Sequence, residues 1–496
     1  MAGTSDLNPW PINPTILEIQ TWPWLTGLGR GRGRPLSLAE VPDAEWDALA
    51  AWGFDAIWLM GVFERSPLGQ RIASTHPGLQ VEYRRALADF SPADVVGSPY
   101  CVRRYVVDEH LGGPEGLRAA RQALARRGLR LILDFVPNHT ARDCPWVSEH
   151  PDYYVSGSRE DLRGRPDDFF EQEGRVLACG RDPNLPPWTD VAQVNAYSAG
   201  LRQAVIATLN NLAGQCDGVR CDMAMLVMND VFGHTWRGQG TPPATDFWPD
   251  VIGAVRARHP EFLFMAEAYW NLETDLVRQG FDYCYDKALY DRLVHGQAQV
   301  LRAHLGDPRQ QAHTVHFIEN HDEARAATAF AFGKERVAAV AALTIPGARL
   351  LHQGQFEGRK IRVPLQLGRW PDEPPDTELH DFYGRLLRAL HLPALSGQWT
   401  LCDVAGWPGQ HHPSSLLAWC WRRDNERAAI IVNLAAERTQ AHVRIPWDDL
   451  AGHTWRLRDP LSGAIYDRAG SEMCNPGLYV DLRGWGLHFM AFEQFP

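Results

Sequence analysis

The chain is 496 residues long, with 45% hydrophobic and 22% charged residues and a formal net charge of -11 at pH 7. These are the proportions of an ordinary globular protein with ample material for a core, and the acidic balance argues against nucleic acid as a partner, because phosphate binding needs a basic surface. No stretch approaches the roughly 18 apolar residues of a membrane span, and MAGTSDLNPWPINPT carries no charged-then-apolar leader, so no membrane partner and a cytoplasmic location are expected.

Nine cysteines are scattered without C-x-x-C spacing, which predicts reduced, mostly buried thiols. The 19 Trp residues equal Phe in number and exceed Tyr; flat rings stack on sugar faces, although core packing also accounts for them.

From Pro14 to about Leu395, strand-like and helix-like segments alternate, the α/β pattern. Eight strand candidates stand at 15–20, 54–60, 129–135, 217–222, 262–268, 281–286, 314–319 and 349–352, the number a closed barrel needs. After the first, GLGRGRGRP (27–35) reads as a flexible loop. Helices are expected from Pro114 to Gly128, from the N-cap Ser198 towards Gly214, and from Lys334 to Pro346 and Gly347. Residues 140–195 are rich in Pro, Asp, Trp and Arg with little periodicity, an insertion whose aromatics argue for order. Beyond about residue 396, LLAWCWRR, AAIIVNLA, AHVRIPW and LHFMAFEQF suggest a small antiparallel sandwich.

Four segments open apolar and finish in polar clusters: LILDFVPNHT (131–140), CDGVRCDMA (216–224), FLFMAEAYW (262–270) and VHFIENHDE (315–323). Polar groups at the carboxyl ends of buried parallel strands are what the active face of a (β/α)8 barrel presents. Arg220 and Asp222 are two apart and share a strand face, so the guanidinium should orient the carboxylate and lower its pKa, as suits a nucleophile. Glu267, at the edge of apolar FLFMA, should be raised by burial and by a second carboxylate, as suits a general acid. Asp322 follows Asn320 and His321 at the seventh strand. Such a carboxylate pair fits retaining glycoside hydrolysis.

These four segments, in this order and separation, resemble the hallmark regions of the α-amylase superfamily of glycoside hydrolases. The resemblance implies a (β/α)8 TIM barrel (residues 1–139 and 196–395), an inserted domain B after strand three (140–195) and a C-terminal antiparallel β-sandwich (396–496). It implies Asp222 as nucleophile, Glu267 as general acid/base and Asp322 as the clamp on sugar hydroxyls. Arg220 matches the arginine of the second region, His139 and His321 match histidines that bind the sugar before the cleaved bond, and Tyr100 matches a tyrosine stacking under that sugar. Asp134 and Asn138 match the structural pair of the first region. The expected activity is a retaining α-glycosidase on α-glucosidic bonds of oligosaccharides or disaccharides; a transglycosidase or isomerase of the same superfamily, and a non-catalytic carbohydrate-binding barrel, stand as alternatives.

Where starch-degrading relatives carry a Lys-His pair after the nucleophile, this chain has Met225 and Leu226, so an apolar acceptor wall is expected, with short α-glucosides as substrates or an acceptor other than water. No cofactor is needed for the chemistry. A structural calcium could use Asn138 and Asp190, with the Leu226 carbonyl. In HQGQFEGRKIRVP, Gln353, Glu357, Arg359 and Arg362 fall near the mouth, and Arg359 or Arg362 could bind an anionic or highly hydroxylated part of the substrate. Oligomeric state is not legible.

Overall fold

The computed structural model describes residues 9–296, 298–330, 333–407 and 414–494. Eight parallel strands close into a barrel: β1 (Thr15–Gln20), β2 (Ala56–Met60), β3 (Arg130–Phe135), β4 (Gly218–Cys221), β5 (Leu263–Ala266), β6 (Tyr283–Tyr285), β7 (Thr314–His316) and β8 (Ala348–His352). Each strand pairs with its neighbour in sequence, and β8 returns to β1. Nearly every strand residue is buried, because helices cover the outside and side chains fill the inside; runs such as LILDF and LFMA therefore lack the alternation of a half-solvated sheet.

The helices begin where the caps predicted. Ser198 accepts from the N–H of Leu201 and opens Ala199–Ala213, and Gly113–Ala125 starts beside Pro114. The glycine- and arginine-rich stretch differs from the expected flexible loop. Helix Thr21–Leu28 follows β1 directly, a 3-10 turn covers Arg30–Arg32, and Arg34 donates to Glu40 at 2.9 Å. Its arginines pair with intrachain carboxylates while remaining about half exposed.

The insertion is also more regular than its composition suggests. Strands His139–Ala141, Ser156–Gly157, Phe169–Gln172, Arg175–Gly180 and Trp188–Gln193 form an antiparallel sheet. Glu173 and Gly174 both have positive φ (51° and 77°), the backbone of a two-residue hairpin turn joining FFEQ to RVLACG. Strands of two to six residues are too short to display a period in sequence.

Residues 398–407 and 414–494 hold a six-stranded and a three-stranded antiparallel sheet facing each other across a separate apolar core. The larger sheet sits against barrel helix Lys334–Leu343: Trp419 Nε1 and Trp421 Nε1 both donate to the carbonyl of Thr344, at 3.2 and 2.7 Å. All nine cysteines are free thiols, eight of them buried. Among the described residues no helix is long and apolar enough to cross a membrane.

Candidate active site

The carboxyl ends of the barrel strands open into a cleft of about 610 Å³ bounded on one side by the inserted sheet. Tyr100, His139, Asp190, Asp222, Glu267 and Asp322 line it, joined by Trp188, Met223, Tyr269 and Trp270. Arg220, His321, Asp134 and Asn138 lie beneath this surface, fully buried.

Arg220 ties the floor together. Its Nη1 donates to Asp222 Oδ1 at 2.9 Å, and its Nη2 lies 2.8 Å from Glu267 Oε2. Two carboxyl groups on neighbouring strands thus sit within the span of one guanidinium fork. Trp58, Tyr100 and Tyr285 surround that guanidinium at 5.1–5.6 Å from their ring centroids, an aromatic cage that keeps water from it.

Asp222 follows the last residue of β4, and its Oδ2 faces away from the Arg220 bond. Its pKa departs from the sequence expectation: burial raises it, and Arg220 only opposes that rise. A buried carboxylate loses more hydration than one shared guanidinium restores. Glu267, after β5, behaves as expected. Burial pushes it up to about 7, Arg220 opposing and the negative Asp222 and Asp322 adding. Its Oε2 accepts from the backbone N–H of Met223 at 2.6 Å and its Oε1 from the Tyr269 hydroxyl at 2.8 Å. Because Asp222 takes the guanidinium hydrogen bond, the shared proton belongs to Glu267. Within Glu267, Oε2 already meets an N–H and a cation, so the proton goes to Oε1, where the Tyr269 hydroxyl, the donor while that oxygen is bare, rotates to accept.

Asp322 is the most open of the three, with 39% of its side chain exposed. Desolvation works against its charge, but the adjacent His321 outweighs it and holds the carboxyl down at about 2. His321 Nε2 lies 3.0 Å from Asp322 Oδ2 and 2.9 Å from the Tyr100 hydroxyl, and Nδ1 pairs with Glu18. Both ring nitrogens are therefore engaged by the protein, and His321 meets the cleft through Asp322 and Tyr100. His139 is drawn down to about 4 by burial, hence neutral, and its ring lies 5.2 Å from that of Trp188. Asp134 is registered opposite Arg220 and accepts from Trp58 Nε1 and the Gly61 N–H, at 3.2 and 2.8 Å. It fastens the aromatic cage rather than touching the cleft.

Two expectations change. Met225 and Leu226 do not wall the acceptor side: the 3-10 turn Ala224–Val227 buries both, and Met223, in left-handed backbone (φ 41°), faces the cleft instead. Nor do Asn138 and Asp190 share an oxygen cage. Val191 pairs with Ala141 and the Val194 N–H donates to the Asn138 carbonyl, so Asp190 and Asn138 stand at opposite ends of this ladder, four residues or roughly 13 Å apart. Buried Gln193 engages Asn138 directly, its Nε2 donating to Asn138 Oδ1, Asn138 O and Val194 O at 2.9, 3.0 and 3.1 Å. An amide nitrogen occupies the place where those oxygens converge. Among the described residues no cluster of three or more His, Cys, Asp or Glu side chains could hold a metal ion.

Sequence reading missed Glu18, Tyr269, Trp270, Trp188 and Gln193. Glu18 left a signal, a carboxylate in the middle of apolar TILEIQ. The others left none beyond adjacency to a motif.

The family model for the α-amylase catalytic domain matches residues 45–198. The α-amylase MalA of Haloarcula japonica is 25% identical over 413 residues, covering 79% of this chain and 52% of that protein. The α-1,4-glucan:maltose-1-phosphate maltosyltransferase of Bifidobacterium longum is 27% identical over 227 residues, 44% of this chain and 24% of that protein. The chain thus spans about half the length of the first relative and about a quarter of the second. An α-amylase from Lactobacillus plantarum shares the fold with a TM-score of 0.69 at 19% identity, over 97% of this chain and 99% of that one. A maltogenic α-amylase, AmyB, from Thermotoga neapolitana does so at 0.68 and 17%, with the same coverage. The closed barrel and the strand-end carboxylates thus stand beside a partial match to the α-amylase catalytic-domain model and a fold shared with α-amylases.

Proposed function

We propose that the chain is a retaining α-glycosidase acting on α-glucosidic bonds of short oligosaccharides or disaccharides. One observation carries this: two carboxyl groups bridged by a single arginine, one protonated up to about pH 7 and one hydrogen-bonded by that arginine, at the floor of one cleft. Asp222 Oδ2 attacks the anomeric carbon while Glu267 Oε1 gives its proton to the departing glycosidic oxygen. A covalent glycosyl–Asp222 ester results. Glu267, now anionic, takes a proton from water, whose oxygen displaces Asp222. Asp322, ionised through His321, accepts hydrogen bonds from sugar hydroxyls and stabilises positive charge developing at the ring.

The cleft wall supports short substrates. Met223, Trp270 (40% exposed) and Leu185 (57% exposed) present apolar surface on which a sugar face can stack. The same wall favours a second reading, transfer to a sugar acceptor, since an apolar acceptor side disfavours a competing water; the maltosyltransferase relatives point the same way. No cofactor enters either route.

The test is turnover of a panel comprising maltose, isomaltose, trehalose, sucrose, maltodextrin and starch, with products resolved by linkage and anomer. Initial product of retained α-configuration is expected. An inverted product, or no turnover of any panel member, overturns the assignment, and new linkages at high acceptor concentration select the transferase reading.

A further inference from the structure

Glu18 lies on β1, registered between Trp58 of β2 and His352 of β8, with no exposed surface. It is the carboxylate partner of His321 Nδ1, while its Oε2 finds no hydrogen-bond donor. A charge in so dry a place is costly unless something depends on it. What depends on it is a line of three groups: Glu18, His321 and Asp322, with the Tyr100 hydroxyl at the same imidazole nitrogen as Asp322.

We infer that Glu18 is a positioning residue of the active site: it fixes His321 as a doubly protonated imidazolium, and through it keeps Asp322 ionised and aimed into the cleft. The inference rests on the proposed glycosidase reaction for its kinetic consequence but not for its structural one. With Glu18 accepting at Nδ1, the proton on Nδ1 is held and Nε2 must carry a second proton to meet the Asp322 carboxylate. The remaining charges around the imidazole divide between signs. Asp134 and Asp222 face it from β3 and β4; on the other side of the balance, Arg220 and His352 act on Glu18, and Arg220 and Arg362 act on Asp322. Glu18 is the only carboxylate in direct contact on the Nδ1 side among the described residues. Glu18 itself is pulled down against its burial by His321, and the His321 pKa stands well above the ordinary value.

The sign of the effect follows. Removing the Glu18 charge lowers the His321 pKa, so the imidazolium is retained at acid pH and lost as pH rises. Glu18→Gln should therefore lower kcat/KM by about 10- to 100-fold, the worth of one hydrogen bond between charged groups, with the deficit smallest at the acid end and growing towards neutrality. Glu18→Asp should recover part of the loss and of the profile. A residue that merely packed the barrel would lower activity equally at every pH, and that outcome overturns the inference.

Nitrogen-15 NMR of the histidine-labelled wild-type protein, with His321→Gln to assign the resonance, gives a readout that needs neither substrate nor a folded Glu18 variant. His321 should keep both protons through neutral pH; a neutral His321 at pH 7 overturns the inference. If His321 is doubly protonated and the wild-type enzyme turns over no α-glucoside, the proposed reaction fails while the assignment of Glu18 to His321 stands.

Discussion

The backbone N–H of Met223 donates to Glu267 Oε2 at 2.6 Å, so the residue following the proposed nucleophile holds the proposed acid. Met223 sits at φ 41°, a conformation costing a branched or long side chain about 1–3 kcal/mol, and that cost maintains the cross-strand hydrogen bond. The two carboxyl groups are thus coupled by backbone as well as by Arg220. Asp222→Asn and Glu267→Gln are each expected to reduce kcat by at least about 10³-fold with unchanged far-UV circular dichroism. In Glu267→Gln the amide oxygen can accept from Met223 while its nitrogen donates to the Tyr269 hydroxyl, so the site stays assembled. Substantial residual activity in both variants would refute their roles.

The raised pKa of Glu267 predicts a basic limb. As pH passes about 7 the acid loses the proton it must donate, and kcat/KM should fall tenfold per unit above it. Stability moves the same way. A carboxyl whose folded pKa exceeds its unfolded one stabilises fully below about 4.5 and loses that contribution as pH rises through about 7. Thermal melts of wild type and Glu267→Gln between pH 5 and 8 should diverge in favour of the glutamine variant at the higher values.

Trp270→Ala tests the proposed acceptor wall. Trp270 and Asn271 both adopt left-handed backbone, φ 64° and 60°, which turns the indole out towards the cleft. Loss of one stacked ring should raise KM about 3- to 10-fold and reduce transfer to sugar acceptors, with kcat little altered. Steady-state kinetics with product ratios at high acceptor concentration measure both.

Chelation tests the Asn138 region. With the Gln193 amide among the oxygens there, excess EDTA is expected to leave melting temperature and activity unchanged, and added calcium to restore nothing. Gln193→Ala, which strands buried carbonyl oxygens, should cost about 2–4 kcal/mol by denaturant titration. Loss of stability on chelation, reversed by calcium, would show that the expected metal site is real.

The loop after β8 separates two arginines that sequence left equivalent. The guanidinium of Arg359 lies 4.6 Å from the Trp370 ring centroid, a packing role, so Arg359→Ala should lower stability. Arg362 is about half exposed and its Nη1 donates to the Asp322 carbonyl at 3.2 Å, so Arg362→Ala should raise KM. An unchanged KM for every active substrate would remove Arg362 from the site.

Legibility followed length and dryness. TILEIQ was readable to the residue, because a strand buried on both faces is a mostly apolar run with sharp ends, interrupted here by Glu18. The inserted sheet was not, since FFEQ and RVLACG are too short to show a period and only their Glu-Gly turn marks them. At the site, carboxylates inside motifs were legible and their partners were not. Tyr269 sits two residues after Glu267 with nothing in its neighbours to mark it. The direction of the Asp222 shift depends on how deeply β4 is buried, a property of eight strands together. Met225 and Leu226 were misplaced because a single 3-10 turn rotates them into the core.

Thr344 closes barrel helix Lys334–Leu343 with its carbonyl shared by the indoles of Trp419 and Trp421. Neither partner could be detached without stranding a carbonyl and laying bare a helix whose residues from Val337 to Leu343 are all buried. The terminal sheets are consequently no exchangeable module: barrel and sandwich should melt as a single calorimetric transition, and a chain ended at residue 395 should aggregate rather than yield a smaller working enzyme.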